Sequence, residues 1–134
     1  MSNRGGVRRK NASAEPTGCP LTAALRAIGG KWNLICLYWL EIEPRRFNEL
    51  RRLMPGISHK VLTETLRSLE DEDLVTRTVR SRMPSHVVYA MSPYGKSVKP
   101  LIEAVRQWGR AHLARDTASA AAPRRRRAAA ADGA

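Results

Sequence analysis

The sequence is poor in cysteine and has no long apolar run. Two cysteines, Cys19 and Cys36, cannot build a disulfide framework, and with three histidines they lack the spacing of zinc ligands. We therefore expect a protein of the reducing cytoplasm that has no metal site. The longest strongly apolar run, Leu34 to Leu40, is far shorter than the ~20 residues of a membrane-spanning helix. The basic N-terminus is followed by no apolar stretch, so we expect neither export nor membrane association.

Signatures of catalysis are missing as well. No nucleophile and base stand at a recognisable spacing, and no paired carboxylates or cofactor fingerprint are present. Lys31 follows two glycines, but Trp32 stands where a phosphate-binding loop needs Ser or Thr. Aromatic residues make up only 5% of the chain, which argues against a stacking platform for single-stranded nucleic acid. The sequence therefore predicts a protein that is not an enzyme and that binds no cofactor.

Basic residues outnumber acidic residues two to one. The chain has 24 Lys and Arg against 12 Asp and Glu, a net charge of +12. Residues 18–113 hold fifteen basic and nine acidic residues, so half of the excess belongs to the part that can fold. Such a surface is typical of a protein that meets a polyanion, although an incidentally basic composition is the alternative. Residues 1–17 and 114–134 are predicted to be disordered tails, the second with a cationic block at Arg124 to Arg127.

Hydrophobic periodicity predicts three helices in the first half of the folded part. The first begins at Pro20 and ends at Gly29 and Gly30. The second, from Lys31 to Glu41, is apolar on most sides and belongs in the core, together with Cys36. The third covers residues 47–53 and precedes a turn at Met54-Pro55-Gly56.

A fourth helix and a hairpin follow. Ser58 is predicted to be the N-cap of a helix that turns Leu62, Leu66 and Leu69 inward. After Leu74 the periodicity changes from 3.6 to 2, which predicts two strands with a basic turn at residues 81–85. A last long helix, opened by Ser92-Pro93, carries a continuous apolar stripe and is expected to end near residue 113.

This order of elements is typical of a winged helix-turn-helix domain, mainly α with a small β-hairpin wing. The fourth helix would enter a DNA major groove. Its predicted groove-facing set is Ser58, His59, Lys60, Thr63 and Arg67. The predicted contacts to the DNA backbone, including those of the wing, are Lys31, Arg45, Arg46, Arg51, Arg52, Arg80 and Arg82.

Three alternatives stand beside this interpretation. Each arginine taken singly could be a solvated surface residue. The same basic surface could serve an architectural DNA-binding or RNA-binding module without sequence preference. The long last helix could dock another protein while DNA binding is vestigial.

Three motifs resemble the HxlR-type winged-helix transcriptional regulators of bacteria, a MarR-like group. They are Ile28-Gly29-Gly30-Lys31-Trp32, Arg46-Phe47-Asn48-Glu49-Leu50 and Pro55-Gly56-Ile57-Ser58, and the similarity extends over residues 18–113. The resemblance implies a homodimer that binds double-stranded DNA at a palindromic operator as a repressor. It also implies a dimer held by the first and last helices, whose candidate residues are Leu21, Leu25, Ile28, Leu101, Ile102, Val105 and Trp108.

The resemblance also draws attention to Cys19. A cysteine at this position senses electrophiles or oxidants in several members of the family, which implies an oxidant or small-molecule inducer. A thiol just before a helix has its thiolate stabilised by the helix dipole, with Arg26 or Lys31 as possible further stabilisers. The alternative is a small buried apolar residue.

One position departs from the family pattern. The family usually places Gly before the leucine that follows the fourth helix, whereas this chain has Asp73 before Leu74. Since Asp adopts a left-handed conformation less readily than Gly, we expect a small stability cost and no change of fold.

Overall fold

The computed structural model describes residues 18–82 and 85–120, without the side chains of residues 81, 82 and 85. The predicted tail segments 1–17 and 121–134, with the block Arg124 to Arg127, lie outside the described residues. The helices are α1 (Pro20–Ile28), α2 (Asn33–Ile42), α3 (Phe47–Leu53), α4 (His59–Asp71) and α5 (Lys99–Ala120). The strands are β1 (Arg45–Arg46), β2 (Val75–Arg82) and β3 (Ser85–Met91). None of the described helices is long and apolar enough to cross a membrane.

Helices α2, α3 and α4 supply half of the buried apolar residues in the described part of the chain. Leu37 of α2, Leu50 of α3 and Leu62 of α4 are fully buried. On α4 the predicted inward residues Leu66 and Leu69 are buried too, because spacings of three and four residues return to the same helix face. The helix-turn-helix is therefore fixed by its own apolar core.

Cys36 lies in this core, as its place in an apolar helix predicts. It is buried in α2. Loss of solvation raises the pKa of the Cys36 thiol to about 12, because an apolar environment disfavours the thiolate. Cys36 is therefore protonated at neutral pH and acts as a small apolar core residue.

Both ends of α4 are fixed by local hydrogen bonds. The predicted N-cap is confirmed, since the Ser58 hydroxyl accepts a hydrogen bond from the Val61 N–H at 3.0 Å. At the other end the N–H of Leu74 donates to the carbonyl of Leu69 at 3.0 Å, and that of Asp73 donates to Glu70 at 2.9 Å. This pair of bonds is a Schellman motif, and Asp73 has the left-handed φ of 63° that it requires.

The sheet has three antiparallel strands in the order β1-β3-β2. The predicted hairpin is present as β2 and β3, with a register irregularity between Val79 and Ser81 that displaces Arg80 from regular pairing. The sequence did not predict β1, whose Arg45 pairs with Tyr89 of β3. A two-residue strand has no periodicity to detect, because its pairing depends on a partner far away in the chain.

The last helix differs from its prediction at both ends. Ser92 accepts a hydrogen bond from the N–H of Gly95 at 2.7 Å and opens a 3-10 turn, Gly95–Val98, so that α5 begins only at Lys99. It then continues to Ala120, past the predicted end near Leu113. The alanine-rich composition of residues 114–120, interpreted as a tail, is also favourable for a helix. The winged unit ends at Lys99, and the rest of α5 forms a unit of its own.

Candidate nucleic-acid interface

The N-terminal half of α4 exposes polar and basic side chains on one face. Lys60, Thr63 and Arg67 recur at spacings of three and four residues, and His59 lies four residues before Thr63. The four side chains therefore share the face opposite the buried leucines. The Lys60 side chain is 84% exposed, and its Nζ lies 3.8 Å from the Glu64 carboxylate. An exposed ion pair of this kind is weak, so Lys60 can leave Glu64 for another anion. These four exposed residues are members of the set that the sequence predicts to face the groove.

The two hydroxyl groups of the predicted groove-facing set have local hydrogen-bond partners. The Ser58 hydroxyl caps α4, and the Thr63 hydroxyl donates to the carbonyl of His59 at 2.9 Å. A hydroxyl oxygen can accept a further hydrogen bond while it donates, so Thr63 still offers an acceptor to a base or a methyl group to thymine. Ser58 accepts the cap hydrogen bond, so its O–H can still donate to an acceptor such as a phosphate oxygen.

Helix α3 and the following turn hold the start of α4 in place. The ring of Phe47, at the first position of α3, lies 4.6 Å from the ring of His59, centroid to centroid. Met54 and Ile57 are buried on either side of the turn, and the Ile57 N–H donates to the Met54 carbonyl at 3.1 Å. Gly56 has a φ of 94°, which residues with a side chain adopt only with strain. The turn therefore fixes the orientation of α4 relative to α3.

The arginines predicted to contact the DNA backbone differ in their surroundings. Arg46, Arg51 and Arg52 are exposed around α3. Arg45 is instead engaged inside the chain, since its Nε donates to the Trp39 carbonyl at 3.2 Å and its Nη1 lies 3.2 Å from the Glu43 carboxylate. Its guanidinium also lies over the Trp39 ring. These contacts hold β1 against α2.

The remaining predicted cations lie on the wing and before α2. Arg80 is exposed at the irregularity of β2, whereas the Arg82 side chain and residues 83–84 at the tip of the wing lie outside the described part. The Nζ of Lys31 lies 4.8 Å from the centroid of the Trp32 ring.

Cys19 lies apart from these residues, at the N-cap of α1. Its thiol is exposed, and its Sγ accepts a hydrogen bond from the Thr22 N–H at 3.4 Å. Hydrogen bonds from Thr22 and Leu21 lower the pKa of the Cys19 thiol below its ordinary value, because they stabilise the thiolate. The two cysteines are thus opposites in exposure and in acidity.

Comparison with known proteins identifies the group to which this arrangement belongs. Residues 27–117 match the family described as HxlR-like helix-turn-helix. The chain belongs to the HxlR family. It is 37% identical over 101 residues to the HTH-type transcriptional regulator YybR of Bacillus subtilis, covering 75% of this chain and 81% of YybR.

Solved structures of similar proteins support the same family assignment. The HTH-type transcriptional regulator ytcD has a TM-score of 0.68 and 38% identity, with 71% of this chain and 97% of that chain covered. The redox regulator HypR in its reduced form has a TM-score of 0.70 and 34% identity, with 76% and 99% covered. This HxlR-family protein is a helix-turn-helix transcriptional regulator with a winged-helix fold, and its relatives are regulators rather than enzymes.

The structure separates the predicted dimer residues of this HxlR-family regulator into two groups. Ile28 and Ile102 are buried within the single chain. The others remain exposed, with Leu21 at 66% and Trp108 at 68%. The exposed members are Leu21 and Leu25 on α1 and Leu101, Val105 and Trp108 on α5.

One further cation, Arg77, is exposed on β2. The sequence analysis did not assign Arg77 to the interface, because strand alternation puts it on the same side as Val75 and Val79.

Among residues 18–82 and 85–120, no three His, Cys, Asp or Glu side chains are grouped so that they could hold a metal ion.

Proposed function

We propose that the protein is a homodimeric repressor that binds a palindromic operator in double-stranded DNA, in the cytoplasm at the nucleoid. Helix α4 enters the major groove, and the wing and α3 contact the flanking backbone. The observation that carries this proposal is the exposed polar and basic face at the start of α4, set on a buried apolar core. Family membership supports the same assignment.

Within this proposal the polar and basic residues of the interface have different roles. Lys60, Thr63 and Arg67 on α4 contact base edges, since they project from the helix that lies in the groove. Arg51 and Arg52 bind phosphates beside it, because they project from α3. Arg45 positions β1 through its bond to the Trp39 carbonyl rather than binding DNA directly.

Homodimer formation is supported by the exposed apolar residues of α1 and α5. Large apolar side chains exposed together on a helix face are typical of an association surface. Leu101, Val105 and Trp108 recur along α5 at spacings of four and three residues, so they lie on one face. Trp108 stacks on His112 with ring centroids 4.9 Å apart, which presents a broad flat surface to a second copy.

The regulatory signal that we propose is oxidation or electrophilic modification of Cys19. Support comes from its exposed thiol, its lowered pKa and the similarity to a redox regulator, HypR. Thiolate is the reactive form, so Cys19 reacts faster than an ordinary cysteine at neutral pH. Modification at the N-cap of α1 alters the hydrogen bond to Thr22 and thereby the helix proposed to join the two copies.

Fluorescence anisotropy tests the DNA-binding proposal. The reduced protein is titrated onto its own upstream intergenic DNA and onto a shuffled copy, at two salt concentrations. We expect the native fragment to bind about a hundredfold more tightly, with a preference that survives added salt. Equal affinities that both collapse with salt, together with no enriched site in a genome-wide binding map, would instead identify a non-specific architectural protein.

Three variants test the assigned roles. Lys60→Ala should reduce the preference for the native fragment, whereas Arg51→Ala should weaken binding to both fragments alike. An equal loss on both fragments for Lys60→Ala would contradict its base-reading role. For the sensor, an oxidant such as hydrogen peroxide should lower the operator affinity of the wild type and leave Cys19→Ser unchanged. A response that persists in Cys19→Ser would remove Cys19 from the mechanism.

A further inference from the structure

A basic cleft lies between the start of α3 and the strands of the wing. Its volume is about 650 Å³. Three arginines line it, Arg46 from β1, Arg52 from α3 and Arg77 from β2, and so do the apolar or aromatic side chains of Phe47, Val87 and Tyr89. All of these residues belong to the winged unit. The cleft therefore joins the two parts of the interface, the helix-turn-helix and the wing.

Arg77 lies where one face of the hairpin leaves the core. It pairs with Tyr89 across β2 and β3, and strand alternation puts it on the same face as Val75 and Met91. Val75 and Met91 are buried, whereas Arg77 and Val79, further along the same face, are exposed. The guanidinium of Arg77 is therefore accessible to an anion from solution.

The protein itself provides no such anion. Within residues 18–82 and 85–120, none of the three guanidinium groups forms an ion pair with a carboxylate. The cleft includes one carboxylate, Glu49, but its Oε1 accepts the backbone N–H of Arg46 at 2.7 Å. Three positive groups against one negative group leave a net positive cleft. Arginine is the side chain best suited to bind phosphate oxygens in pairs.

We propose that this cleft binds a phosphate of the DNA backbone and the neighbouring sugar, with Arg77 and Tyr89 among the contacting residues. The inference rests on the proposed function and deepens it. Phe47 lines the cleft and also contacts His59 at the start of α4, so a strand whose bases meet α4 passes this point on its way to the wing. The volume exceeds that of one phosphate group, and the walls formed by Phe47, Val87 and Tyr89 suit an apolar deoxyribose face.

Salt-dependent binding of Arg77 variants tests the proposal. Arg77→Gln is compared with the wild type by anisotropy at about 50 and about 200 mM salt on native and shuffled DNA. We expect about a five- to tenfold loss at low salt on both DNAs, and a salt slope smaller by about one. Arg77→Lys, which keeps the charge, should retain most of the slope. Arg115→Gln, an exposed arginine of α5, is the matched control and should change neither quantity.

A second measurement identifies the source of the phosphate. Single methylphosphonate substitutions along the native duplex remove one backbone charge at a time. At the phosphate that the cleft binds, the substitution should weaken the wild type and have little further effect on Arg77→Gln. Inorganic phosphate is titrated onto the free protein in parallel. Binding that requires Arg77, with DNA affinity and slope unchanged in Arg77→Gln, would assign the cleft to a soluble phosphate compound and overturn the proposal.

Each variant is first checked by thermal unfolding. A folded Arg77→Gln protein with the wild-type salt slope overturns the cleft assignment and leaves the operator-binding proposal intact. If the wild type does not distinguish native from shuffled DNA, the proposed function fails, and a reduced slope in Arg77→Gln still supports a phosphate contact. The two proposals therefore fail separately.

Discussion

Helices α4 and α5 are both amphipathic, but their apolar faces differ in how far they are exposed to solvent. On α4, Leu62, Leu66 and Leu69 are at most 1% exposed. On α5, Val105 is 45% exposed and Trp108 68%. An amphipathic helix gains stability only when its apolar stripe is covered. The stripe of α4 is therefore covered, whereas most of the stripe of α5 is exposed.

The two helices therefore contribute to function at different levels. The apolar face of α4 fixes the helix on the domain, so its opposite face is held rigidly for the DNA contact proposed above. The apolar face of α5 is largely exposed, and in the proposed dimer it provides the area for assembly. For a protein that binds a two-fold operator, assembly sets the spacing of the two reading helices. Substitutions on the two helices should separate folding from association.

The largest expected effect is that of Leu66→Ala on α4. Removing a fully buried leucine leaves a cavity and should lower the free energy of unfolding by about 2–5 kcal/mol. Urea unfolding followed by circular dichroism, at a protein concentration where the chain is monomeric, measures it. Leu101→Ala on α5 is the matched control, and since Leu101 is 40% exposed its cost should be much smaller. Equal costs for the two variants would contradict the contrast between the helices.

Trp108→Ala on α5 should act on association instead. An exposed aromatic anchor at the centre of an interface is a typical hot spot, so we expect the dimer dissociation constant to rise about ten- to a hundredfold. Sedimentation equilibrium measures this constant. Gln107→Ala, on a neighbouring face of α5, should leave it unchanged. A wild-type constant in Trp108→Ala would exclude this stripe from the interface.

The same contrast explains which features could be predicted from the sequence. Local signals identified α3 and α4, the cap at Ser58 and the hairpin, because each depends on residues within a few positions of one another. The stripe of α5 was also visible, but its 3-10 entry at Gly95 and its continuation to Ala120 were not. Alanine-rich sequence is compatible with both a tail and a helix, and composition alone does not decide between them.

The sequence predicted which helices and strands form the candidate site, but not the contacts between their side chains. Spacing placed Lys60, Thr63 and Arg67 on one face of α4. It could not reveal that Arg45 is held by the Trp39 carbonyl, nor that Arg77 shares a cleft with Arg52. Both facts depend on β1 and on packing between elements distant in sequence. Such contacts become visible only once the chain is folded.

A smaller effect is expected from Ser58→Ala at the start of α4. Loss of the hydrogen bond from the Val61 N–H leaves a helix donor without its partner, which should cost about 1 kcal/mol of unfolding free energy. On α5, Thr117→Ala removes a hydroxyl that donates to the Leu113 carbonyl inside the helix, where no cap is lost. Chemical denaturation should find that variant unchanged or slightly more stable. A neutral Ser58→Ala would mean that solvent replaces the cap fully.

The smallest expected effect, at the end of α4, has the opposite sign. Asp73 has a φ of 63°, a conformation that costs a residue with a Cβ atom more than it costs glycine. Asp73→Gly should therefore raise the free energy of unfolding by about 0.5 kcal/mol, because relief of strain exceeds the greater entropy of the unfolded chain. Asp71→Gly, two residues earlier and still helical, is the control; because the helix propensity of glycine is only slightly lower than that of aspartate, it should lower the free energy of unfolding by about 0.3 kcal/mol. Opposite signs in thermal unfolding would show that the left-handed backbone at residue 73 causes the gain; if both variants destabilise, the Asp73 side chain itself stabilises the turn.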